Sequence, residues 1–270
     1  MSKLSSPVYI VDGCRTPFLK ARGKPGPFSA SDLAVYAARD ILVRQPIEPT
    51  QIDEVVAGCM IPSPDEANIA RLIALRLGCG DACPGYTVQR NCASGMQALD
   101  SALKDIVLGR HDLVIAGGTE VMSRSPLLFN RKMVNWFSAL YAAKTPWKKL
   151  KLFGKLRPSF LAPIISLLNG LRDPLSRLSM GQTAELVAHR FNISRKEMDA
   201  FALSSHQRLV KAQKDGVFAD EITAIFDESG RVYEVDDGVR PDSSLEKLAK
   251  LKPFFDKKVG KVTAANSSQI

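Results

Sequence analysis

Two patterns of hydrophobic residues, one typical of strands and one typical of helices, alternate along the first half of the chain. Short, nearly continuous apolar runs are typical of buried strands, whereas apolar residues at intervals of three and four indicate helices. The runs predicted as strands are Val8–Asp12, Asp53–Gly58, the residues 86–90, Asp112–Ala116 and, near the end, Val259–Ala264. Helical spacing covers Glu66–Leu77 and the residues 93–108, which Gly109 ends. Strands that alternate with helices predict an α/β domain with a largely parallel sheet.

This alternation stops at residue 126 and resumes at residue 180. Residues 126–173 carry both tryptophans and several other aromatic residues, and their apolar part, Ser159–Leu171, is too short to span a bilayer. Further on, S-R-K-E at 194–197 is a capping box that begins a helix. We therefore expect one domain built from residues 1–125 and 174–270, with residues 126–173 as an inserted loop subdomain.

Composition places the chain among ordinary globular proteins. Its 270 residues are 45% hydrophobic and 24% charged, and the N-terminus has no apolar run long enough for a signal peptide. Five scattered cysteines form no disulfide framework, and no histidine or second cysteine pair completes a metal site. We expect a reducing compartment, either the cytoplasm or a mitochondrial-type matrix, and no metal.

The net charge of +9 comes from one segment of the chain. Between Val121 and Arg172 there are ten Lys and Arg residues and no Asp or Glu. Removing these ten from the 37 Lys and Arg residues leaves 27, against 28 Asp and Glu. Two interpretations stay open: residues 126–173 rest on an anionic membrane surface, or they pack over an active site with their charges outward. No motif of a nucleic-acid-binding fold accompanies these charges, which disfavours nucleic acid as a partner.

Cys92 is the candidate for covalent chemistry. It lies where the strand at 86–90 gives way to the helix at 93–108, and Ala93, Ser94 and Gly95 beside it are small. The free amides and positive end of a helix favour thiolate over thiol, and Arg90 adds positive charge if its side chain points the same way. A buried structural cysteine is the alternative. We interpret the other four cysteines as structural.

Six motifs occur in the order in which the thiolase family carries them. They are G-C-R-T-P-F (13–18), N-C-A-S-G-M-Q-A (91–98), A-G-G-T-E-V-M-S (116–123), M-G-Q-T-A-E (180–185), A-K-L-K-P (249–253) and V-T-A-A-N-S-S (262–268). The chain resembles the thiolases over nearly its whole length. Within that family it is similar to the 3-ketoacyl-CoA thiolases of the trifunctional-enzyme β-subunit type, which carry a basic, apolar insertion at this place.

The resemblance implies an acyltransferase of fatty-acid β-oxidation. Cys92 would cleave 3-ketoacyl-CoA with CoA through an acyl-cysteine intermediate, with coenzyme A as co-substrate and no permanently bound cofactor. For CoA, Arg240 matches the arginine at the adenine end, and Ala264 and Ser268 match residues of the pantetheine tunnel. Met180 would line the acyl pocket. The expected partners are a second copy of the chain and a hydratase/dehydrogenase α subunit.

The resemblance also implies how much of the family fold is present. That fold has two similar βαβαβαββ halves in an αβαβα layered arrangement, and this chain matches one half with an inserted helical loop subdomain. The family's G-H-P-x-G, C-x-G-G-G and N-E-A-F motifs belong to the other half and are absent here. We expect the C-terminal thiolase domain to be missing and the chain alone to have little turnover.

Two alternatives to that function stay open. The chain could be a non-catalytic, CoA-binding or assembly fragment. It could also belong to an acetyl-CoA C-acetyltransferase working in the condensing direction. A ketosynthase-like condensing enzyme is a weaker alternative, since M-G-Q-T-A-E and T-A-A-N-S-S favour a thiolase. Ser179 stands where short-chain thiolases tend to have histidine, which favours longer acyl chains.

Overall fold

A parallel sheet forms the centre of the protein, whose computed structural model describes residues 7–21 and 23–268. Its strands are β1 (Glu54–Gly58), β2 (Gly85–Val88) and β3 (Val114–Gly118), in the order β2-β1-β3. Val55 pairs with Gly85 on one side and with Ile115 on the other. The three strands predicted at the centre of the chain are therefore confirmed, with slightly different ends. Residues 1–6 of the N-terminal stretch examined for a signal peptide lie outside the described residues.

Helices precede, connect and follow these strands. They are α1 (Ala30–Arg44), α2 (Ile69–Leu77), α3 (Ser94–Val107), α4 (Arg131–Ala142), α5 (Pro146–Phe153), α6 (Ser166–Gly170), α7 (Met180–Arg190), α8 (Arg195–Lys214) and α9 (Leu245–Ala249). Two short antiparallel pairs complete the elements: β4 (Leu127–Phe129) with β5 (Pro163–Ile165), and β6 (Ile225–Phe226) with β7 (Val232–Tyr233).

The core lies on both faces of β1, whose five residues are all buried. Val55 and Ala57 belong to a cluster that includes Ile69 and Ile73 of α2, together with residues of α1. Alternate residues of a strand point to opposite faces, so Val56 and Gly58 face the other side, where α3 packs. A strand covered on both faces explains why the four residues after Glu54 carry no polar side chain.

Glu120 joins the loops that follow β1 and β3. Its Oε2 atom accepts hydrogen bonds from the amides of Met60 (2.7 Å) and Ile61 (3.3 Å). The amide of Thr119 donates to the carbonyl of Gly58 at 3.0 Å. The carboxyl ends of the two strands are thereby held together, which is the edge where α/β proteins place their chemistry.

Residues 127–165 have a small core of their own. The indole Nε1 of Trp136 donates to the carbonyl of Leu152 at 2.8 Å, and its ring meets the Phe153 ring at 5.3 Å between centroids. Asn130 caps α4 and also donates to the carbonyls of Ser159, Phe160 and Ala162. The limits of the predicted subdomain stay a prediction. Across residues 7–21 and 23–268, no helix has both the length and the apolar character needed to cross a bilayer.

Two predicted strands are wrong. Val8–Asp12 has no strand partner among the described residues, and Tyr9 and Ile10 are 76% and 85% exposed. The stretch Val259–Ala264 is a loop, because the amides of Lys261 and Val262 donate to the Glu185 carboxylate rather than to a neighbouring strand. Both stretches have strand-forming residues, but a strand also needs a backbone partner.

Candidate active site

Cys92 lies in a tight turn between β2 and α3. The turn contains Asn91 in the left-handed region, with φ of +51°. Asparagine is one of the residues that tolerate this conformation. Ala93 is the N-cap residue, and α3 begins at Ser94. The sequence prediction of a strand-to-helix junction at Cys92 is therefore confirmed.

The Ser94 side chain fixes the shape of this turn. Its buried hydroxyl accepts a hydrogen bond from the amide of Arg90 (2.8 Å) and donates to the carbonyl of Asn91 (2.6 Å). The Arg90 guanidinium donates to Oε1 of Gln97 at 2.9 Å, so this cation is held along the side of α3. Within the described residues, the amides of Gly95 and Met96 have no acceptor. The start of α3 thus keeps free donors beside Cys92.

Glycines at two strand ends allow the first turn of α3 to approach the sheet. A Cβ atom on Gly58 would lie 2.3 Å from the carbonyl carbon and oxygen of Ser94. A Cβ atom on Gly118 would lie 2.9 Å from the Cα atom of Gly95. The backbone next to Cys92 therefore sits directly on the carboxyl ends of β1 and β3, and no larger residue fits at either position without displacement.

Cys92 differs from the other four cysteines in its exposure. It is exposed, Cys14 is partly buried, and Cys59, Cys79 and Cys83 are buried. Burial and the nearby Glu120 carboxylate raise the pKa of Cys59 to about 12. Burial, together with the adjacent Cys83 thiol, raises the pKa of Cys79 to about 11. Of the five cysteines, Cys92 is therefore the most exposed to a solvent-borne reactant.

Arg240 lines a groove of about 310 Å³ beside α8. Lys211 and Lys214 line the same groove, and Lys211 forms an ion pair with Asp215. The amide of Arg240 donates to Nδ1 of His206 at 3.3 Å. The groove therefore gathers three cations around one carboxylate, Asp215, and this excess of positive charge is suited to a phosphorylated ligand.

Met180, Ala264 and Ser268 belong to segments that Glu185 brings together. Met180 is the first residue of α7, and Glu185 of the same helix accepts from the amides of Lys261 (2.8 Å) and Val262 (2.9 Å). This contact joins the M-G-Q-T-A-E and V-T-A-A-N-S-S motifs. Met180, Ala264 and Ser268 are all exposed. Sequence reasoning missed this role of Glu185, although its place inside a motif was a usable signal.

Asn266 holds the loop that carries Ala264 and Ser268. Its side-chain oxygen accepts from the amide of Thr263 at 2.7 Å. Its Nδ2 atom donates to Asp199 of α8 and to the carbonyl of Lys261, both at 3.0 Å. Among the described contacts, no hydrogen bond or ion pair links Cys92 to Met180, Ala264 or Arg240.

No hydrogen bond or ion pair among the described residues links a histidine to Cys92. His111 Nε2 is 3.7 Å from Glu54 Oε2, His189 lies in the last turn of α7, and His206 faces the amide of Arg240. The described residues contain no group of three or more His, Cys, Asp or Glu side chains that could hold a metal ion. A larger cavity, of about 840 Å³, lies between the loop at 14–28 and the residues 118–123, and Cys92 is not among its lining residues.

Comparison with known proteins gives one consistent result. The family model described as "Thiolase, N-terminal domain" matches residues 8–270. The chain is 36% identical over 264 residues to a 3-ketoacyl-CoA thiolase of Aliivibrio fischeri, covering 97% of this chain and 59% of that protein. It is 38% identical to the mitochondrial trifunctional enzyme subunit beta of Bos taurus, covering 97% of this chain and 54% of that one.

A solved structure gives the same fold. The structure of human mitochondrial 3-ketoacyl-CoA thiolase in complex with CoA superposes with a TM-score of 0.80 at 33% identity, covering 96% of this chain and 60% of that one. The predicted fold class is confirmed by this match. The chain thus spans between half and two thirds of the length of the relatives it matches.

Proposed function

Because the chain belongs to the thiolase family and matches its N-terminal domain, we propose that Cys92 is the nucleophile of a 3-ketoacyl-CoA thiolase. The observation that carries the proposal is an exposed thiol on a fixed strand-to-helix turn. The unpartnered amides at the start of α3 are hydrogen-bond donors available to an anion that forms beside Cys92 during the reaction. A nucleophilic cysteine needs this combination of access and a positive surrounding.

The proposed reaction has two acyl transfers. The Cys92 thiolate attacks C3 of the 3-ketoacyl-CoA, the C2–C3 bond breaks, and its electron pair leaves as the enolate of acetyl-CoA. An acid must give that enolate a proton. The shortened acyl group stays on sulfur as a thioester, and the thiol of a second CoA takes it up after losing its proton to a base, which frees Cys92. None of the histidines of this chain is assigned to these proton transfers.

Arg240, Ala264 and Ser268 are proposed to bind CoA, and Met180 to line the acyl pocket. The excess of cations over carboxylates in the Arg240 groove supports binding of the phosphorylated adenine end. The relative solved with CoA supports a CoA site in the family. Ser179 caps α7 in place of a histidine, which supports acyl chains longer than acetoacetyl. No permanently bound cofactor is part of this proposal.

The proposed partners follow from the family. We propose a homo-oligomer in the cytoplasm or a mitochondrial-type matrix. The similarity to a trifunctional enzyme subunit beta supports a hydratase/dehydrogenase α subunit as a further partner. Residues 126–173 would contact either that subunit or an anionic membrane surface.

The test is to trap the acyl-enzyme. The purified protein is incubated with 3-ketodecanoyl-CoA and digested, and the peptides are analysed by mass spectrometry. We expect an octanoyl group on Cys92. The matched control is Cys14→Ser, which removes a partly buried thiol and should leave the adduct in place, whereas Cys92→Ser should abolish it.

The other outcomes separate the alternatives. An octanoyl group on another cysteine, or no adduct while Cys92 reacts readily with iodoacetamide, would reject Cys92 as the acyl acceptor. Tight CoA binding without an adduct would favour the non-catalytic CoA-binding fragment. An adduct with acetyl-CoA and none with 3-ketodecanoyl-CoA would favour the acetyl-CoA C-acetyltransferase.

A further inference from the structure

We propose that Asp199 of α8 is a positioning residue for CoA binding. Its carboxylate holds the loop of residues 261–268, which carries Ala264 and Ser268, in one place before CoA arrives. The inference rests on the proposed function, because it concerns the loop proposed there to contact CoA. Asp199 itself lies outside the six motifs and would neither contact CoA nor react.

Asp199 is a buried carboxylate whose partners come from two segments of the chain. It is 3% exposed and is the one buried residue of α8 among the described residues. Its Oδ2 atom accepts from Nε of Arg195 at 2.7 Å, and its Oδ1 atom accepts from Nδ2 of Asn266 at 3.0 Å. Burial of a carboxylate is costly unless a cation and hydrogen bonds offset the lost hydration. The buried position of α8 is thus occupied by an ion that joins α8 to the loop, rather than by an apolar side chain.

Arg195 extends this contact to the segment after α9. Its second guanidinium nitrogen donates to the carbonyls of Leu248 (2.7 Å) and Leu251 (3.1 Å). Three residues later, the amide of Phe254 donates to the carbonyl of Val262 at 3.0 Å. The ion pair on α8 therefore fixes both the loop and the chain that leads into it.

The loop is closed upon the Asn266 side chain. The side-chain oxygen of Asn266 accepts from the amide of Thr263 at 2.7 Å, and its Nδ2 atom donates to the carbonyl of Lys261 at 3.0 Å. Thr263 is 1% exposed, so the base of the loop is packed. Ala264 and Ser268 are exposed and lie two positions on either side of Asn266. A contact that fixes Asn266 therefore fixes where both of these residues lie.

This role differs from simply holding the fold together. Glu185 of α7 already binds the amides of Lys261 and Val262 at the start of the loop. Asp199 adds a second attachment, from a different helix, at Asn266 in the later part of the loop. A binding loop fixed in advance avoids the entropy cost of being ordered by the ligand, so the gain appears as affinity.

The test is isothermal titration calorimetry of CoA with the purified protein and its variants. Asn266→Asp replaces the donor that faces Asp199 with a second carboxylate, and we expect it to weaken CoA binding on the order of tenfold or more. Asp199→Asn keeps the size of the side chain and removes its charge, and should weaken binding less. Asn192→Asp is the matched control, since it adds the same charge at an exposed residue that makes no contact with the loop, and should leave the affinity unchanged.

A reciprocal exchange separates positioning from general destabilisation. Asp199→Asn combined with Asn266→Asp restores a donor facing an acceptor and keeps the net charge of the unaltered protein. We expect this double variant to recover most of the affinity that Asn266→Asp loses. Hydrogen exchange of residues 261–268, followed by mass spectrometry, should be faster in Asn266→Asp and slow again in the double variant. Circular dichroism shows whether each variant is folded.

Three outcomes would overturn the inference while leaving the proposed CoA site in place. They are equal CoA affinity in all variants, a double variant as weak as Asn266→Asp, and a loss of affinity without faster exchange in the loop. The last would mean that Asn266 acts on CoA directly and not through its contact with Asp199. No CoA binding by the unaltered protein would instead reject the proposed CoA site, and this inference with it.

Discussion

Glu54 is a buried carboxyl at the first position of β1. Its Oε2 atom has no hydrogen-bond partner among the described residues, and the Nε2 atom of His111 is 3.7 Å away. Burial raises the pKa of Glu54, and the Asp105 carboxylate raises it further, against the opposing effects of His111 and Arg110. An ionised carboxylate without its full set of hydrogen bonds destabilises the fold at this position.

We expect Glu54→Gln to stabilise the protein at neutral pH. A carboxyl whose pKa is higher in the folded state than in the unfolded state favours folding while it is protonated. That contribution is lost as the pH rises from the unfolded-state pKa of 4.5 through the higher folded-state pKa. The neutral amide avoids this loss, and the expected gain is about 1 kcal/mol. Thermal unfolding measured across a pH series should show the difference closing below pH 4.5, where Glu54 is protonated in both states.

Glu234→Gln is the control for this prediction, because Glu234 is exposed and the same change there should be nearly neutral at every pH. A lower stability of Glu54→Gln at neutral pH would mean that the carboxylate is stabilised by His111 more than burial destabilises it. In that case, His111→Ala should lose as much stability as Glu54→Gln does.

At the scale of elements, the contact between α3 and the sheet sets the position of Cys92. The contact depends on glycine at the last residues of β1 and β3, since a side chain at either would meet the backbone of Ser94 or Gly95. Gly117 is the natural comparison: it precedes Gly118 in the same strand, and a Cβ atom there would meet nothing within 4 Å. Two neighbouring glycines therefore differ only in whether α3 lies against them.

We expect Gly118→Ala to destabilise the protein by about 1–3 kcal/mol, because the start of α3 must move to admit the methyl group. Gly117→Ala should be neutral or slightly stabilising. Denaturant unfolding measures both. The rate at which iodoacetamide modifies Cys92 should change in Gly118→Ala and stay the same in Gly117→Ala. Equal effects of the two substitutions would show that the close approach of α3 is not what holds the turn.

Local signals were enough to predict the elements around this site. The apolar run at 53–58, the helical spacing after Ala93 and the stop at Gly109 depend on neighbours in sequence, and all three match the structure. The capping box at Ser194 and Glu197 is also present. Cys92 could be selected because a strand-to-helix junction is a local pattern.

The parts that could not be predicted depend on distant partners. Val8–Asp12 has strand-forming residues but no backbone to pair with among the described residues. The loop at 259–264 is shaped by Glu185, more than 70 residues earlier in the chain. The close contacts of Gly58 and Gly118 with α3 likewise join residues far apart in sequence. Which of two adjacent glycines lies against a helix is not encoded in the local pattern.

At the scale of the whole molecule, apolar side chains are exposed on α3, the helix that follows Cys92, and in the N-terminal segment. Met96 and Leu99 of α3 are 69% and 42% exposed, and in the N-terminal segment Tyr9 and Ile10 are more exposed still. Exposed apolar side chains favour association with another apolar surface, because the contact removes them from water.

We therefore expect the purified chain to self-associate. Sedimentation velocity should give a mean mass above the 29.5 kDa of one chain, and the mass should rise with concentration. Met96→Gln with Leu99→Gln should weaken the association roughly tenfold or more, because two large apolar side chains are then no longer available for burial in the contact.

Val43→Gln, on the exposed side of α1, is the control and should change nothing. Raising NaCl should leave this association intact, since burial of apolar surface is not screened by salt. A single boundary at the mass of one chain at every concentration would show that α3 is not a site of self-association.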